Sequence, residues 1–164
     1  MSEVPVVPNS PGLVGLPRRV AEAFAENGAL AKAIPAFESR PGQQRMAESA
    51  AEVFENGSIL LAEAGTGTGK TLAYLVPAIL SGQRILISTG TKNLQDQIFY
   101  KDLPALSQAL GVEINATYMK GRSNYLCLHR FSAMQQEETP RSAIDQTYLN
   151  QLAEWVEQTE TGDR

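Results

Sequence analysis

A single cysteine stands among the 164 residues, so no disulfide framework can form within the chain, and a reducing, cytoplasmic setting is expected. Long apolar runs are missing as well. None approaches the roughly 18 residues a membrane span requires, so no membrane partner is expected. The opening MSEVPVVPNSPG has no basic stretch leading into an apolar one, and a secretory signal is not expected. Positive charge is scarce overall, the net charge being −4. Taken alone this speaks against nucleic acid, because phosphate contacts require clustered Lys and Arg. The scarcity is uneven, however. From Arg84 to Arg130 six Lys or Arg face three acids, and from Phe131 onward seven acids face two arginines. A mildly basic middle fits a nucleic-acid face, and an ordinary solvated surface has the same appearance.

What is present suits one compact α/β domain. The hydrophobic share is 43% and the charged share 20%, ordinary values for a globular protein. Four prolines within residues 1–17 mark a flexible leader. Arg18 to Ile34 has helical periodicity interrupted at Asn27-Gly28, and a second helix is predicted from Gln43 to Glu55, with Met46, Ala50 and Phe54 on one stripe. Ser58–Ala62 and Arg84–Ser88 are short apolar runs that read as buried parallel strands, and Ala116–Met119 is a candidate third. Helices are expected over Lys70 to Leu80, with a kink or early end at Pro77, and over Thr91 to Tyr100, with a break at Asp102–Pro104. A last helix places Ile144, Tyr148, Leu152 and Trp155 on one face. It begins either at Thr139-Pro140 or at the capping pair Ser142 and Asp145. Strands alternating with helices imply a parallel sheet with flanking helices.

The densest chemical signal is Glu63-Ala64-Gly65-Thr66-Gly67-Thr68-Gly69-Lys70-Thr71. Nucleotide phosphates pack several negative charges closely. Binding them takes inward-turned backbone N–H groups, which a glycine-rich turn followed by a helix N-terminus supplies. Lys70 adds a point charge for the β- and γ-phosphates, and the Thr71 hydroxyl a ligand for Mg²⁺. The strict pattern starts with glycine, and here Ala64 holds that place. The residues expected to hold ATP are therefore Ala64, Gly65, Thr66, Gly67, Thr68, Gly69, Lys70 and Thr71, with Lys70 and Thr71 serving catalysis.

Three further segments narrow the class. Upstream stands Phe37-Glu38-Ser39-Arg40-Pro41-Gly42-Gln43-Gln44-Arg45-Met46, which resembles the adenine-recognising Q motif of superfamily 2 helicases in its R-x-x-Q-x-x-M form. Gln43 is the residue that form uses, and its carboxamide can pair with the N6 and N7 edge of adenine. A polar first turn of a helix would look the same. Downstream, Ile87-Ser88-Thr89-Gly90-Thr91-Lys92 opens a helix. It is similar to motif Ia of superfamily 2 helicases, and that resemblance makes Thr89, Thr91 and Lys92 candidates to grip nucleic-acid phosphates without regard to base. An ordinary helix cap by Thr89 or Thr91 is compatible with that role. The third segment is Met119-Lys120-Gly121-Arg122-Ser123-Asn124-Tyr125-Leu126-Cys127.

In order, these segments resemble the Q motif, phosphate loop, motif Ia and cysteine-bearing run of superfamily 2 iron–sulfur helicases of the DinG/XPD type, their YoaA-like branch in particular. The resemblance covers about Leu30 to Cys127. It implies an incomplete RecA-like P-loop lobe over residues 18–126 and the start of a cluster-bearing insertion over 127–164. The implied activity is ATP-dependent unwinding of single-stranded or forked DNA, with 5′-to-3′ polarity, in repair. Cys127 becomes the first of four ligands to a 4Fe-4S cluster.

Parts of such a motor are lacking. A cluster takes four thiolates and the chain has one. No apolar run ends in Asp-Glu to hold Mg²⁺ and place the attacking water; Ala143-Ile144-Asp145 comes nearest and lies in a helical pattern. The expectation is an N-terminal fragment of a larger protein, holding no cluster by itself, inactive alone and marginally stable. The competing readings are another P-loop enzyme such as a small-molecule kinase, and a non-catalytic nucleotide-binding module. His129, the sole histidine, is expected to be exposed and is given no role.

Overall fold

The computed structural model describes residues 15–35, 37–136 and 142–163. Residues 1–14 of the expected leader (1–17) and the helix start at Thr139-Pro140 lie outside them, while Leu16 and Pro17, expected in that leader, are helical. The chain divides into two compact units, one ending at Thr117 and the other beginning at Tyr118.

The first unit is helical. Its elements are α1 (Leu16–Phe24), α2 (Ala29–Ala33), α3 (Pro41–Asn56), α4 (Lys70–Ser81), α5 (Lys92–Gln97) and α6 (Leu103–Leu110). The interruption expected near Asn27-Gly28 separates α1 from α2. Helix α3 packs along α4, α1 packs on both, and α2 packs on α6. Small residues permit the close approach: Ala47 and Ala51 of α3 and Ala73 of α4 are fully buried. Around them Val20, Phe24, Leu30, Leu75, Val76 and Leu106 fill the core. At ~25 cal/mol per Å² of apolar surface, burying each large side chain stabilises the unit by about 1.5–3 kcal/mol.

Helices α3 and α4 run parallel. At their N-terminal ends Gln43 Nε2 donates to the Gly69 carbonyl (2.9 Å), and past their C-terminal ends Gln83 Nε2 donates to the Phe54 carbonyl (2.9 Å). Helix α1 starts beside the end of α3, where Glu55 Oε1 accepts from the Leu16 amide at 2.6 Å. That carboxylate also faces the positive end of the α1 dipole.

The parallel sheet is not present. Among the described residues no strand forms, and the only β-type pairing is an isolated antiparallel bridge between Tyr125 and Asp163. The segments 58–62, 84–88 and 116–119 are irregular, and side chains expected in a core face solvent: Ile59 is 90% exposed, Leu61 93%, Leu86 95% and Met119 81%. A strand exists only where a neighbour takes up its N–H and C=O groups and covers its faces. These three segments do not pair with one another, so the α/β assignment is corrected to a helical fold.

Two expected interruptions are also resolved differently. Helix α4 continues through the buried Pro77 to Ser81, because neighbouring Leu75, Val76 and Ala78 anchor that turn in the core. At Asp102–Pro104 the chain stays helical by widening. Ile98–Asp102 form a π-helical turn, and the Leu103 amide reaches back to the Ile98 carbonyl. A wide turn accommodates Pro104, which has no N–H to donate.

The second unit holds a 3₁₀ turn (Arg122–Asn124), α7 (Leu128–Gln136) and α8 (Ala143–Gln158). Ser142 caps α8, its Oγ accepting from the Asp145 amide at 3.1 Å and donating to Asp145 Oδ2 at 2.7 Å. The expected apolar face of α8 is shifted: Ile144 and Tyr148 are exposed and Leu149 is buried. Tyr118 to Leu126 is fastened to the turn after α8. Lys120 Nζ pairs with Asp163 Oδ2 at 2.5 Å, the Tyr118 hydroxyl donates to the same oxygen, and the Leu126 amide donates to the Gly162 carbonyl at 2.9 Å.

Candidate functional site: the phosphate loop and its clamp

Residues Ala64 to Gly69 form an irregular loop that ends at the first residue of α4, Lys70. Gly67 and Gly69 adopt φ of 75° and 78°, the left-handed region where a side chain is strained. Gly69 is constrained twice over, because an added Cβ would run into the Gln43 carboxamide.

Four loop carbonyls accept from side chains. Lys70 Nζ donates to the Ala64 and Gly65 carbonyls at 2.5 and 2.6 Å. The Gly65 carbonyl also accepts from Thr68 Oγ1 at 2.9 Å. Arg40 Nη1 donates to the Gly67 carbonyl at 2.5 Å, and Gln43 Nε2 to that of Gly69. Arg40 is the N-cap residue of α3 and Gln43 stands three positions on, so both project from the first turn toward the loop. Beside them opens a cavity of about 590 Å³ lined by Arg40, Gln43, Arg45, Met46, Glu63, Ala64, Thr66, Gly67 and Thr68, among others. Its size is that of a small-molecule pocket.

The structure thus brings Gln43 and the loop residues into one site. It gives Gln43 a task that composition did not suggest. The side chain is only 6% exposed, and its amide nitrogen is committed to Gly69, leaving Oε1 as its acceptor for a base. Arg40 and Glu63 were missed as cavity residues. The Arg40-x-x-Gln43 spacing was the available signal for the first. Thr71 lies in the first turn of α4, where its hydroxyl bonds the Tyr74 phenol. Burial pushes the Tyr74 phenol up from its usual range, the Thr71 bond opposes that shift, and the Asp102 charge reinforces it.

Thr91 caps α5, its Oγ1 accepting from the Leu94 amide at 3.3 Å, while Thr89 Oγ1 donates to the Thr91 carbonyl at 3.2 Å. Lys92 is exposed at the first position of α5. The two threonines therefore already serve as local structure, and Lys92 presents its charge to solvent. Cys127 belongs to the second unit and is exposed. Among the described residues no group of three His, Cys, Asp or Glu could hold a metal ion, and no helix is long and apolar enough to cross a membrane.

Residues 40–147 match the family model of the DEAD/DEAH box helicases. The ATP-dependent DNA helicase YoaA of Escherichia coli (strain K12) is 46% identical over 142 residues, which cover 85% of this chain and 22% of that protein. YoaA of Haemophilus influenzae is 42% identical, over 88% of this chain and 23% of its own length. The 3'-5' exonuclease DinG of Bacillus subtilis (strain 168) is 38% identical, over 82% and 15%. The chain thus spans less than a quarter of the curated relatives it matches. It belongs to the DEAD/DEAH box helicase family.

Proposed function

We propose, with membership of the DEAD/DEAH box helicase family as the premise, that this chain supplies the nucleotide-binding part of an ATP-dependent DNA helicase. The observation that carries the proposal is the loop Ala64–Thr71 standing at the start of α4 beside a cavity that Gln43 and Arg40 line. The residues fit the ligand chemically. Gly67 and Gly69 allow the tight backbone path a phosphate cradle takes. Lys70 supplies a cation for the β- and γ-phosphates, and the Thr71 hydroxyl a ligand for the Mg²⁺ that accompanies ATP. Oε1 of Gln43 can accept from the exocyclic amine of adenine. Bound Mg²⁺ would neutralise phosphate charge; this chain's own residues bind and orient the nucleotide.

The DNA partner, single-stranded or forked, is assigned to Thr89, Thr91 and Lys92 at the start of α5. Lys92 supplies the charge, and the hydroxyls and amides of that turn can hold phosphates without reading bases. The two YoaA relatives are named as DNA helicases, which supports DNA as the track. A bacterial cytoplasmic setting near the chromosome and a role in repair go with that reading. The division proposed for the chain is a motor segment over 18–126 and the start of an insertion over 127–164.

An iron–sulfur cluster does not fit the described residues as a complete site. One exposed thiol, Cys127, is present where four ligands are needed. Cys127 is proposed as one ligand of a set that the other three would have to join from further along such a protein.

The test of nucleotide binding is calorimetry with Mg-ATP on the protein and on Lys70→Ala. Loss of measurable binding in the variant is expected. Equal affinity in both proteins would remove Lys70, and the loop with it, from the site.

A further inference from the structure

The loop described above is held in a particular state. Lys70 Nζ, the charge that should meet phosphate, is engaged with the carbonyls of Ala64 and Gly65. A phosphate competes for that ammonium and for the space around the same backbone, so binding must first break these bonds. Lys70 comes from within the loop and moves with it. Arg40 does not. It reaches the Gly67 carbonyl across 27 residues of sequence, from the rigid start of α3. Its other terminal nitrogen, Nη2, pairs with Glu38 Oε2 at 3.3 Å, which orients the guanidinium while Nη1 grips the loop. Gly67 stands at the tip with φ of 75° and open space around it. Arg40 is the side chain that holds the Gly67 carbonyl.

We propose that Arg40 is a latch: by holding the Gly67 carbonyl it keeps the phosphate loop closed on Lys70, and nucleotide entry requires its release. The proposal rests on the reading that the loop takes nucleotide phosphates. It makes Arg40 a positioning residue that limits the association rate, with Glu38 as the acceptor that keeps it aimed. An arginine that gripped the bound nucleotide would act in the opposite sense, slowing release.

Arg40→Met separates the two, keeping side-chain length while removing donors and charge. Arg40 caps α3 without a side-chain capping bond and is half exposed, so the variant should fold. Two measurements on the purified protein decide. In ¹⁵N relaxation without nucleotide, the Gly67 amide order parameter should fall from about 0.85 toward about 0.6 in the variant. In stopped-flow mixing with a fluorescent ATP analogue, association should quicken about 3- to 10-fold with dissociation unchanged; a charged hydrogen bond is worth more when buried, and this one is discounted for exposure. An unchanged order parameter at Gly67 would overturn the latch. So would slower association or faster dissociation, since Arg40 would then be holding the nucleotide itself. If the unaltered protein fails to bind the analogue at all, the nucleotide-site reading falls, and the order parameter alone still judges whether Arg40 restrains the loop.

Discussion

Gly69 has φ of 78°, and a Cβ added there would collide with Nε2 of Gln43 and stand 2.8 Å from its Cδ. Two costs therefore meet in Gly69→Ala. The left-handed backbone disfavours any L side chain by about 1–2 kcal/mol. The clash also forces the Gln43 carboxamide off the Gly69 carbonyl. Gln43 is nearly fully buried, so its displaced amide loses a partner and adds about 1–2 kcal/mol. The Gly69 carbonyl itself is not orphaned, because the Ala73 amide also donates to it at 3.2 Å. The total is about 2–4 kcal/mol, and at about 2–4 °C per kcal/mol for a chain of this size the melting temperature should drop by about 4–16 °C.

The comparison that isolates the clash is Gly67→Ala. Gly67 shares the backbone region, with φ of 75°, but an added Cβ meets nothing within 4 Å. Only the strain of about 1–2 kcal/mol applies there. A double-mutant cycle completes the case. In a Gln43→Ala background the carboxamide is gone, and Gly69→Ala should cost no more than Gly67→Ala, giving a coupling of about 1–2 kcal/mol between residues 43 and 69. Urea unfolding followed by circular dichroism reads all five proteins. Equal costs for the two glycine substitutions, or additivity of the Gln43 and Gly69 changes, would refute the close approach as the reason for glycine at 69.

Breaking the Lys120–Asp163 pair should loosen the second unit. Both side chains are nearly nine-tenths buried, and Asp163→Asn removes the carboxylate charge that the Lys120 ammonium pairs with, at about 3–5 kcal/mol. Hydrogen exchange should quicken at residues 118–126, with Lys120→Met/Asp163→Leu less affected than the single change; equal exchange in all three proteins would show that the pair fastens nothing. Tyr74 should set an alkaline limit on stability. Its phenol is raised by burial, so the folded state holds that proton more tightly than the unfolded one. The stability this contributes is complete below the unfolded value of about 10 and is lost as pH rises through the raised folded value. Melting curves of Tyr74→Phe from pH 8 upward should decline less steeply than those of the unaltered protein, and parallel declines would count against the assignment.

Local chemistry was legible in the sequence and long-range partnership was not. The glycine-rich loop leading into α4 could be read because its signal is contiguous: glycines, then Lys-Thr, at the start of a helix. The cap of α8 was one of two starts the sequence offered, legible because Ser142 and Asp145 lie three residues apart. The predicted α3 and α4 match in position, since Pro41 and the apolar stripe fix the one and the loop launches the other. The sheet failed on the same ground. An apolar run such as Ser58–Ala62 satisfies every local test for a strand, but pairing is a property of two segments, and no pattern within one of them reports whether the other arrives. Gln43 shows both sides of this division. Its carboxamide singled it out as a partner for adenine, while its bond to Gly69 depends on α3 and α4 running parallel. Ala47, Ala51 and Ala73 let the helices close on each other, and the bonds Gln43–Gly69 at one end and Gln83–Phe54 at the other mark them as parallel. The clamp on the loop is therefore a consequence of packing between two helices 13 residues apart in sequence. A change at that contact, such as Ala51→Leu, acts on the phosphate loop without touching it.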